Sequence, residues 1–183
     1  MDFVSVFKFL LDEFKKNNLR FALIGGFAMH AAGYIRATQD IDFIVPKDDA
    51  DKLKKIMRGF GYELVHESED VANYVGRIEG LGQVDFLYAN RQYANTMLER
   101  ALEKDVLDGQ FKIKVILPED LIGLKVQSSS NDPNRYHQDM ADIEAVMKIN
   151  FKDLDLKLIK EYFDLFERGQ EFEEIMKGIK SDD

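Results

Sequence analysis

Three aspartates and a diglycine are the residues of this chain whose types and spacing suit chemistry. Asp40 and Asp42 open the apolar run that ends at Val45. In a strand, residues i and i+2 share a face, so these two carboxylates project side by side. Like charges that close raise each other's pKa unless a cation neutralises them. Hard carboxylates are ligands for Mg²⁺. The bland reading, two strand-end acids facing water, fits poorly with Ile41, Phe43, Ile44 and Val45 around them. Asp85 lies in a second short run, Gln83 to Tyr88, among Val84, Phe86 and Leu87. An acid there is costly to bury without a partner. A metal held by Asp40 and Asp42 would be that partner.

Gly25 and Gly26 end the run before the acids. Alone, such a pair is a tight turn, because glycine is the default residue for positive φ. Its place between a strand and a helix start raises it to a phosphate-holding turn, since a helix N-terminus directs free N–H groups at an anion. The diglycine and the acids together point to a site for a metal-bound nucleoside triphosphate. Arg36 and Thr38 precede the acids and read two ways, as contacts to triphosphate oxygens or as anchors of a polar loop.

A second constellation follows Pro118. Lys125 lies one turn beyond Leu121 and Ile122, so its stem runs near a buried side. It either snorkels to solvent or reaches a phosphate. Arg135, Asp139 and Asp142 follow i, i+4, i+7 spacing along the edge of an apolar face formed by Tyr136, Met140, Ile143 and Met147. An acid near the centre of that face needs a partner, which Arg135 or Lys125 can supply. A buried ion pair between two helices and a direct substrate contact are both consistent with this pattern. His30, His66 and His137 share no metal spacing, and a packed or capping role is expected for each. Tyr162, Phe163, Phe166 and Phe172 are expected to pack in a core.

The elements that must position these residues read as follows. A helix spans about residues 3 to 17, and a strand runs from Phe21 to Ile24. A helix runs from the diglycine to about Gly33, and a strand from Asp40 to Val45 is stopped by Pro46. Asp48 and Asp49 suit the cap of a helix reaching Phe60. Strands follow at Tyr62 to His66, Tyr74 to Ile78, Gln83 to Tyr88 and Gln110 to Leu117, with a helix from Tyr93 to Leu107. After Pro118 the chain reads as helix, broken near Asn131-Asp132-Pro133 and near Phe151. The fold class is therefore α+β: residues 1–117 form a core built on a mixed β-sheet with flanking helices, and residues 118–183 form a C-terminal helical region.

At 183 residues, 45% of them hydrophobic, the chain can bury a sizeable core. A net charge of −9 disfavours a long nucleic-acid track, which needs many cationic contacts. Lys52, Lys54, Lys55 and Arg58 form one local basic cluster, whose simplest reading is a solvated helix face. No segment approaches bilayer-spanning length. The first residues lack the basic leader and cleavage site of a signal peptide. With no cysteine, thiolate metal sites are excluded. A cytoplasmic location is the expectation.

The full pattern, Gly-Gly-x-Ala-x-His-x-x-Gly followed by Arg-x-Thr-x-Asp-Ile-Asp and a later single aspartate, resembles the nucleotidyltransferase superfamily typified by DNA polymerase beta. Two branches are similar: the AbiE-type abortive-infection toxins with related small bacterial nucleotidyltransferases, and, less closely, the aminoglycoside and lincosamide nucleotidyltransferases. The stretch Pro118 to Met147 resembles the first branch more. The resemblance implies a nucleotidyltransferase-like core and transfer of a nucleoside monophosphate by two Mg²⁺ ions, with Mn²⁺ as the alternative. Asp40, Asp42 and Asp85 would be catalytic metal ligands. Gly25, Gly26, Arg36, Thr38, Lys125, Arg135 and Asp139 would hold the nucleotide. The implied partners are a nucleoside triphosphate and an acceptor that is a small hydroxylated molecule, RNA or protein. Superfamily members often carry serine where Gly26 stands, and that serine touches phosphate. Two competing classes are a nucleotide-binding regulator without turnover and a toxin controlled by an antitoxin partner.

Overall fold

The structure is a computed structural model, and it describes residues 1–181. The chain divides into two compact units: residues 1–31 with 36–116, and residues 32–35 with the chain from 117 onward.

The first unit opens with α1, Phe3–Lys16. Asp2 caps it, accepting a hydrogen bond from the Ser5 amide at 3.2 Å. Val6, Phe7, Leu10 and Phe14 recur at helical spacing and are all buried. Next come β1 (Ala22–Ile24), α2 (Gly25–Ala31), β2 (Asp40–Pro46), α3 (Ala50–Gly59), β3 (Tyr62–Glu67), β4 (Val71–Gly76), β5 (Gln83–Ala89), α4 (Gln92–Arg100), β6 (Leu102–Val106) and β7 (Phe111–Val115). The strands form one sheet in the order β3-β4-β5-β2-β1-β7-β6. β2 pairs with β5, and β1 with β7, in parallel. The remaining pairs are antiparallel.

Alternation divides the sheet into two faces. Phe43 and Phe86, stacked with centroids 5.8 Å apart, belong to the face that meets Phe14. Phe7 reaches both Phe43 and Phe27 edge-on, tying α1 to β2 and α2. Because Ile41 and Phe43 are fully buried on this side, register forces Asp40 and Asp42 to the other.

The expected elements of the first unit are present, with differences at three places. The helix from Tyr93 ends at Arg100 rather than Leu107, and Leu102–Val106 is a strand. Leu102, Glu103, Lys104 and Asp105 are exposed, as befits an edge strand guarded by charge. Asp108-Gly109 is the hairpin signal that overrides the helical pattern: Leu107, Asp108 and Gly109 all take positive φ in the β6–β7 turn. β4 begins at Val71 and stops at Gly76, short of Ile78. The helix after Pro46 starts through a short 3₁₀ turn, Lys47–Asp49, and Asp49 caps it with no side-chain bond. The Asp49 carboxylate instead accepts from Lys52 Nζ at 2.7 Å.

The second unit contains α5 (Pro118–Asn131), α6 (Tyr136–Asn150), α7 (Leu156–Leu165) and α8 (Gly169–Ser181). The breaks near Asp132 and Phe151 lie where expected. A further break at 166–168, with Glu167 at positive φ, separates α7 from α8. Ile143, Met147, Ile159 and Phe163 are fully buried, and Tyr162 and Phe172 nearly so. Gly123 lets α5 lie flat on the Tyr162 ring, since a Cβ there would come within 2.7 Å of it. Tyr162 in turn donates to the buried Asp120 at 2.7 Å. Among the described residues, no helix is long and apolar enough to cross a membrane.

Candidate active site

The parallel register of β2 and β5 sets Asp42 directly beside Asp85 and Asp40 beside Gln83. Neighbours in register share a face, so Asp40, Asp42 and Asp85 all project from the side opposite Phe43. One carboxylate oxygen from each lies within 4.8 Å of the others. This is the convergence that the strand alternation predicts.

Two of the acids, Asp40 and Asp85, are held by neighbours from the same unit. Asp40 Oδ1 accepts from Thr38 Oγ1 at 3.1 Å, and the same hydroxyl donates to the Asp40 carbonyl at 3.3 Å. Gln83 Nε2 donates to both oxygens of Asp85, at 3.1 and 2.9 Å. Asn73, opposite Asp85 in the antiparallel β4–β5 register, donates to it from the other side. Burial pushes the Asp85 carboxyl above its usual range, and the charge of Asp40 adds to that, while the Asn73 and Gln83 amides work against it.

The diglycine serves the acids directly. Gly25 has φ +62°, and a Cβ there would occupy the space of the Asp42 carboxylate. A Cβ at Gly26 would collide with Thr38. Both positions are therefore held to glycine by side chains that belong to the acidic cluster. This also accounts for the missing serine: the Thr38 side chain lies where one would be. His30 Nε2 lies 2.6 Å from the Arg36 carbonyl, which joins α2 to the segment before β2. Arg36 is half-buried and donates from Nη1 to the Ala37 carbonyl at 3.3 Å.

The oxygens of the three acids fit a divalent cation. Opposite ligands of one Mg²⁺ stand roughly 4.2 Å apart, a separation that oxygens within 4.8 Å of one another can span. The upward push on Asp85 comes first from burial and then from the charge of Asp40, and a cation would offset both. Asp40 and Asp42 from β2 and Asp85 from β5 would be its ligands. Gln83 and Asn73 were absent from the sequence-based set. Only the pairing of β5 with β4 reveals Asn73, although the i, i+2 relation of Gln83 to Asp85 was legible.

The second unit gathers Lys125, Asp139 and Asp142. Lys125 Nζ lies 2.8 Å from Asp139 Oδ1 and 2.7 Å from Asp142 Oδ2. All three are buried, and the Lys125 side chain is only 8% exposed. Arg135 Nε adds a contact of 3.3 Å to Asp139 from an exposed position. Gln138 donates to Asp142 at 3.0 Å. Lys125 does not snorkel; it is an internal cation between two helices. Arg168 is a hub the sequence did not flag, binding Glu171, the Ser129 hydroxyl and the Val126 carbonyl. Of the histidines, His30 is engaged as above, whereas His66 and His137 are exposed rather than packed.

The chain thus carries a mixed sheet with three converging aspartates, two on one strand and one on the next. The chain belongs to a nucleotidyltransferase family, described as uncharacterised, whose model matches residues 7–161. No curated protein sequence matches the chain. Several solved structures share its fold. The antibiotic-resistance factor ANT(2″)-Ia, in complex with adenylyl-2″-tobramycin, is 16% identical with a TM-score of 0.64, covering 91% of this chain and 98% of that one. The lincosamide antibiotic adenylyltransferase LnuA, bound to lincomycin, is 19% identical with a TM-score of 0.57, covering 79% and 96%. An antigenic nucleotidyltransferase-like protein from Paracoccidioides brasiliensis is 18% identical with a TM-score of 0.57, covering 96% and 92%.

Proposed function

We propose that this protein transfers a nucleoside monophosphate from a nucleoside triphosphate to a hydroxyl group of a small molecule and releases pyrophosphate. The observation that carries the reading is the convergence of Asp40, Asp42 and Asp85 within 4.8 Å in a chain of this family.

Asp40, Asp42 and Asp85 would hold the metal. Two bound Mg²⁺ ions, or Mn²⁺, would supply a clamp on the entering and leaving oxygens of an in-line displacement. Asp85 accepts the acceptor's hydroxyl proton. The hydroxyl oxygen bonds to the α-phosphorus as that phosphorus loses its bond to the oxygen bridging to the β-phosphorus. The electron pair leaves with pyrophosphate. Gln83 and Asn73 keep the Asp85 carboxylate aimed for this work. Gly25 and Gly26 let the backbone approach the phosphates, Thr38 anchors Asp40, and Arg36 supplies positive charge to the triphosphate.

For the second unit we assign Lys125 and Asp139 to joining α5 and α6, because each is already engaged by the other. Arg135 pairs with the same Asp139 at 3.3 Å from an exposed position. A small hydroxylated acceptor is favoured over RNA by the net charge of −9.

The test is incubation with each α-labelled nucleoside triphosphate, Mg²⁺, and separately tobramycin, lincomycin, a panel of other hydroxylated small molecules, or cell RNA. Label on a small acceptor, abolished by Asp85→Asn, supports the proposal. Label on RNA alone overturns the acceptor class, and no transfer with any donor overturns the activity.

A further inference from the structure

Residues of α3, β3 and β4, together with Arg77, line a cavity of about 330 Å³. It lies away from the acids. Register sets Asn73 beside Asp85, so Tyr74, one residue on, points to the opposite face of the sheet. Lys54, Arg58 and Arg77 surround the cavity, with Glu63, Tyr62 and Tyr74. In a chain of net charge −9, three cations around one hollow are a local reversal of sign.

The charges there are unequally matched. Lys54 Nζ pairs with Glu67 Oε1 at 2.8 Å, and Arg77 Nε with Glu63 Oε2 at 3.2 Å. Arg58 makes no ion pair among the described residues. The hollow therefore keeps one positive charge after its internal pairs are counted. The Tyr74 hydroxyl is buried and has no hydrogen-bond partner. A buried hydroxyl left unpaired costs free energy that an incoming acceptor would recover. Burial pushes this phenol up to about 12, with Glu67 adding to the rise and Arg58 opposing it. At neutral pH it is a protonated donor with nothing to donate to.

We propose that this cavity binds the phosphoryl group of a small phosphorylated molecule, with Tyr74 donating to one oxygen and Arg58, flanked by Lys54 and Arg77, neutralising the others. The site is distinct from the acidic cluster and does not depend on nucleotidyl transfer. A phosphoryl group suits it because arginine offers several donors in a fixed fork to tetrahedral oxygens. Tyr62 is not a competing donor, as its hydroxyl is already given to the Leu81 carbonyl at 2.9 Å.

The experiment is a titration of ¹⁵N-labelled protein in EDTA with inorganic phosphate and with glycerol 3-phosphate, using sodium chloride and acetate at matched ionic strength as controls. Saturable shifts are expected at the amides of Gly61, Leu64 and Arg77, following a binding curve separate from any at Gly25 and Gly26. Arg58→Gln should weaken binding by about tenfold, a loss of one charge-assisted contact. Tyr74→Phe should also weaken it, while leaving the melting temperature in chloride unchanged or higher. Lys55→Gln, an exposed neighbour on α3 that does not line the cavity, should bind as the parent does. Tighter binding of the ester or of the free ion identifies which source of phosphoryl the site takes. Three outcomes overturn the proposal: no saturable shift at the lining amides, equal binding of acetate, or equal weakening by Lys55→Gln.

Discussion

Gly25 lies against the carboxylate of Asp42 so closely that a single added methyl group would displace it. The first glycine of the diglycine is thus part of the acid site, not merely a turn beside it. Gly25→Ala should therefore damage two things at once. The positive φ of +62° is strained for alanine, at roughly 1–2 kcal/mol, and Asp42 must move. Thermal melting should show the strain. Mn²⁺ binding followed by electron paramagnetic resonance should show a larger loss than the melting shift alone explains. Normal Mn²⁺ affinity in a destabilised Gly25→Ala protein would separate the glycine from the metal site.

Asp42→Asn keeps the shape and removes one charge. If Asp42 is a ligand, turnover should fall on the order of a thousandfold, about 4 kcal/mol of transition-state stabilisation. Metal-free stability should hold or rise, because one of three crowded charges is gone. Should the variant unfold while its folded fraction keeps full specific activity, Asp42 is structural.

Asp85 makes a pH prediction whose sign is opposite to that of a salt-bridged acid. Its folded carboxyl is raised, so the native state binds the proton more tightly than the unfolded chain does. In EDTA the ionised group lowers stability above its folded pKa, and that loss disappears as pH falls through it. Asp85→Asn should accordingly melt higher than the parent at neutral pH, with the difference shrinking in acid. Mg²⁺ should narrow the neutral-pH difference by stabilising the parent alone. Differential scanning calorimetry across pH, with and without Mg²⁺, gives the comparison.

The cluster in the second unit should behave in the reverse way. Burial pushes Asp139 up, but the hydrogen bond and charge of Lys125, with Ser128 and Arg135, outweigh it and hold the group below its usual range. Its stabilising contribution is present above the unfolded carboxyl value and lost as pH falls through the folded one. Lys125→Met leaves two buried aspartates without their shared cation and should cost about 3–5 kcal/mol. Asp139→Asn should cost less, because Asp142 still pairs Lys125 at 2.7 Å. Urea denaturation of both variants measures the order. Equal stability of Lys125→Met and the parent would show that the triad does not join α5 to α6.

Arg168 binds Ser129 Oγ at 2.6 Å and Glu171 at 2.6 and 2.8 Å while its side chain is only 10% exposed. Arg168→Leu should leave Glu171 and the Val126 carbonyl without this donor and lower stability by roughly 2–4 kcal/mol. Arg168→Lys should recover only part, because one ammonium cannot span partners on α5 and α8 as a guanidinium does. Melting curves of the two variants test whether that span matters.

Much of the site was legible before any fold was known, because its signals are local. Alternation on one strand puts Asp40 and Asp42 on a common face whatever lies around them, and Pro46 marks where that strand stops. The same logic made Phe43 a core residue. The amphipathic spacing of Val6, Phe7, Leu10 and Phe14 likewise determined α1. What the chain could not disclose locally depends on which strands become neighbours. Asp85 meets Asp42 because β5 lies parallel beside β2, and Asn73 reaches Asp85 because β4 borders β5. The strand at Leu102–Val106 was misread as helix because an edge strand needs no buried alternation; its pairing with β7 across the Asp108-Gly109 turn supplies the stability that its own pattern does not advertise. Lys125 shows the same limit. Its helical position placed it near a buried side, but only the packing of α5 on α6 decided that its charge would end between Asp139 and Asp142 rather than in water. Side-chain period is a property of neighbours in sequence, whereas charge pairing and strand register are properties of neighbours in space.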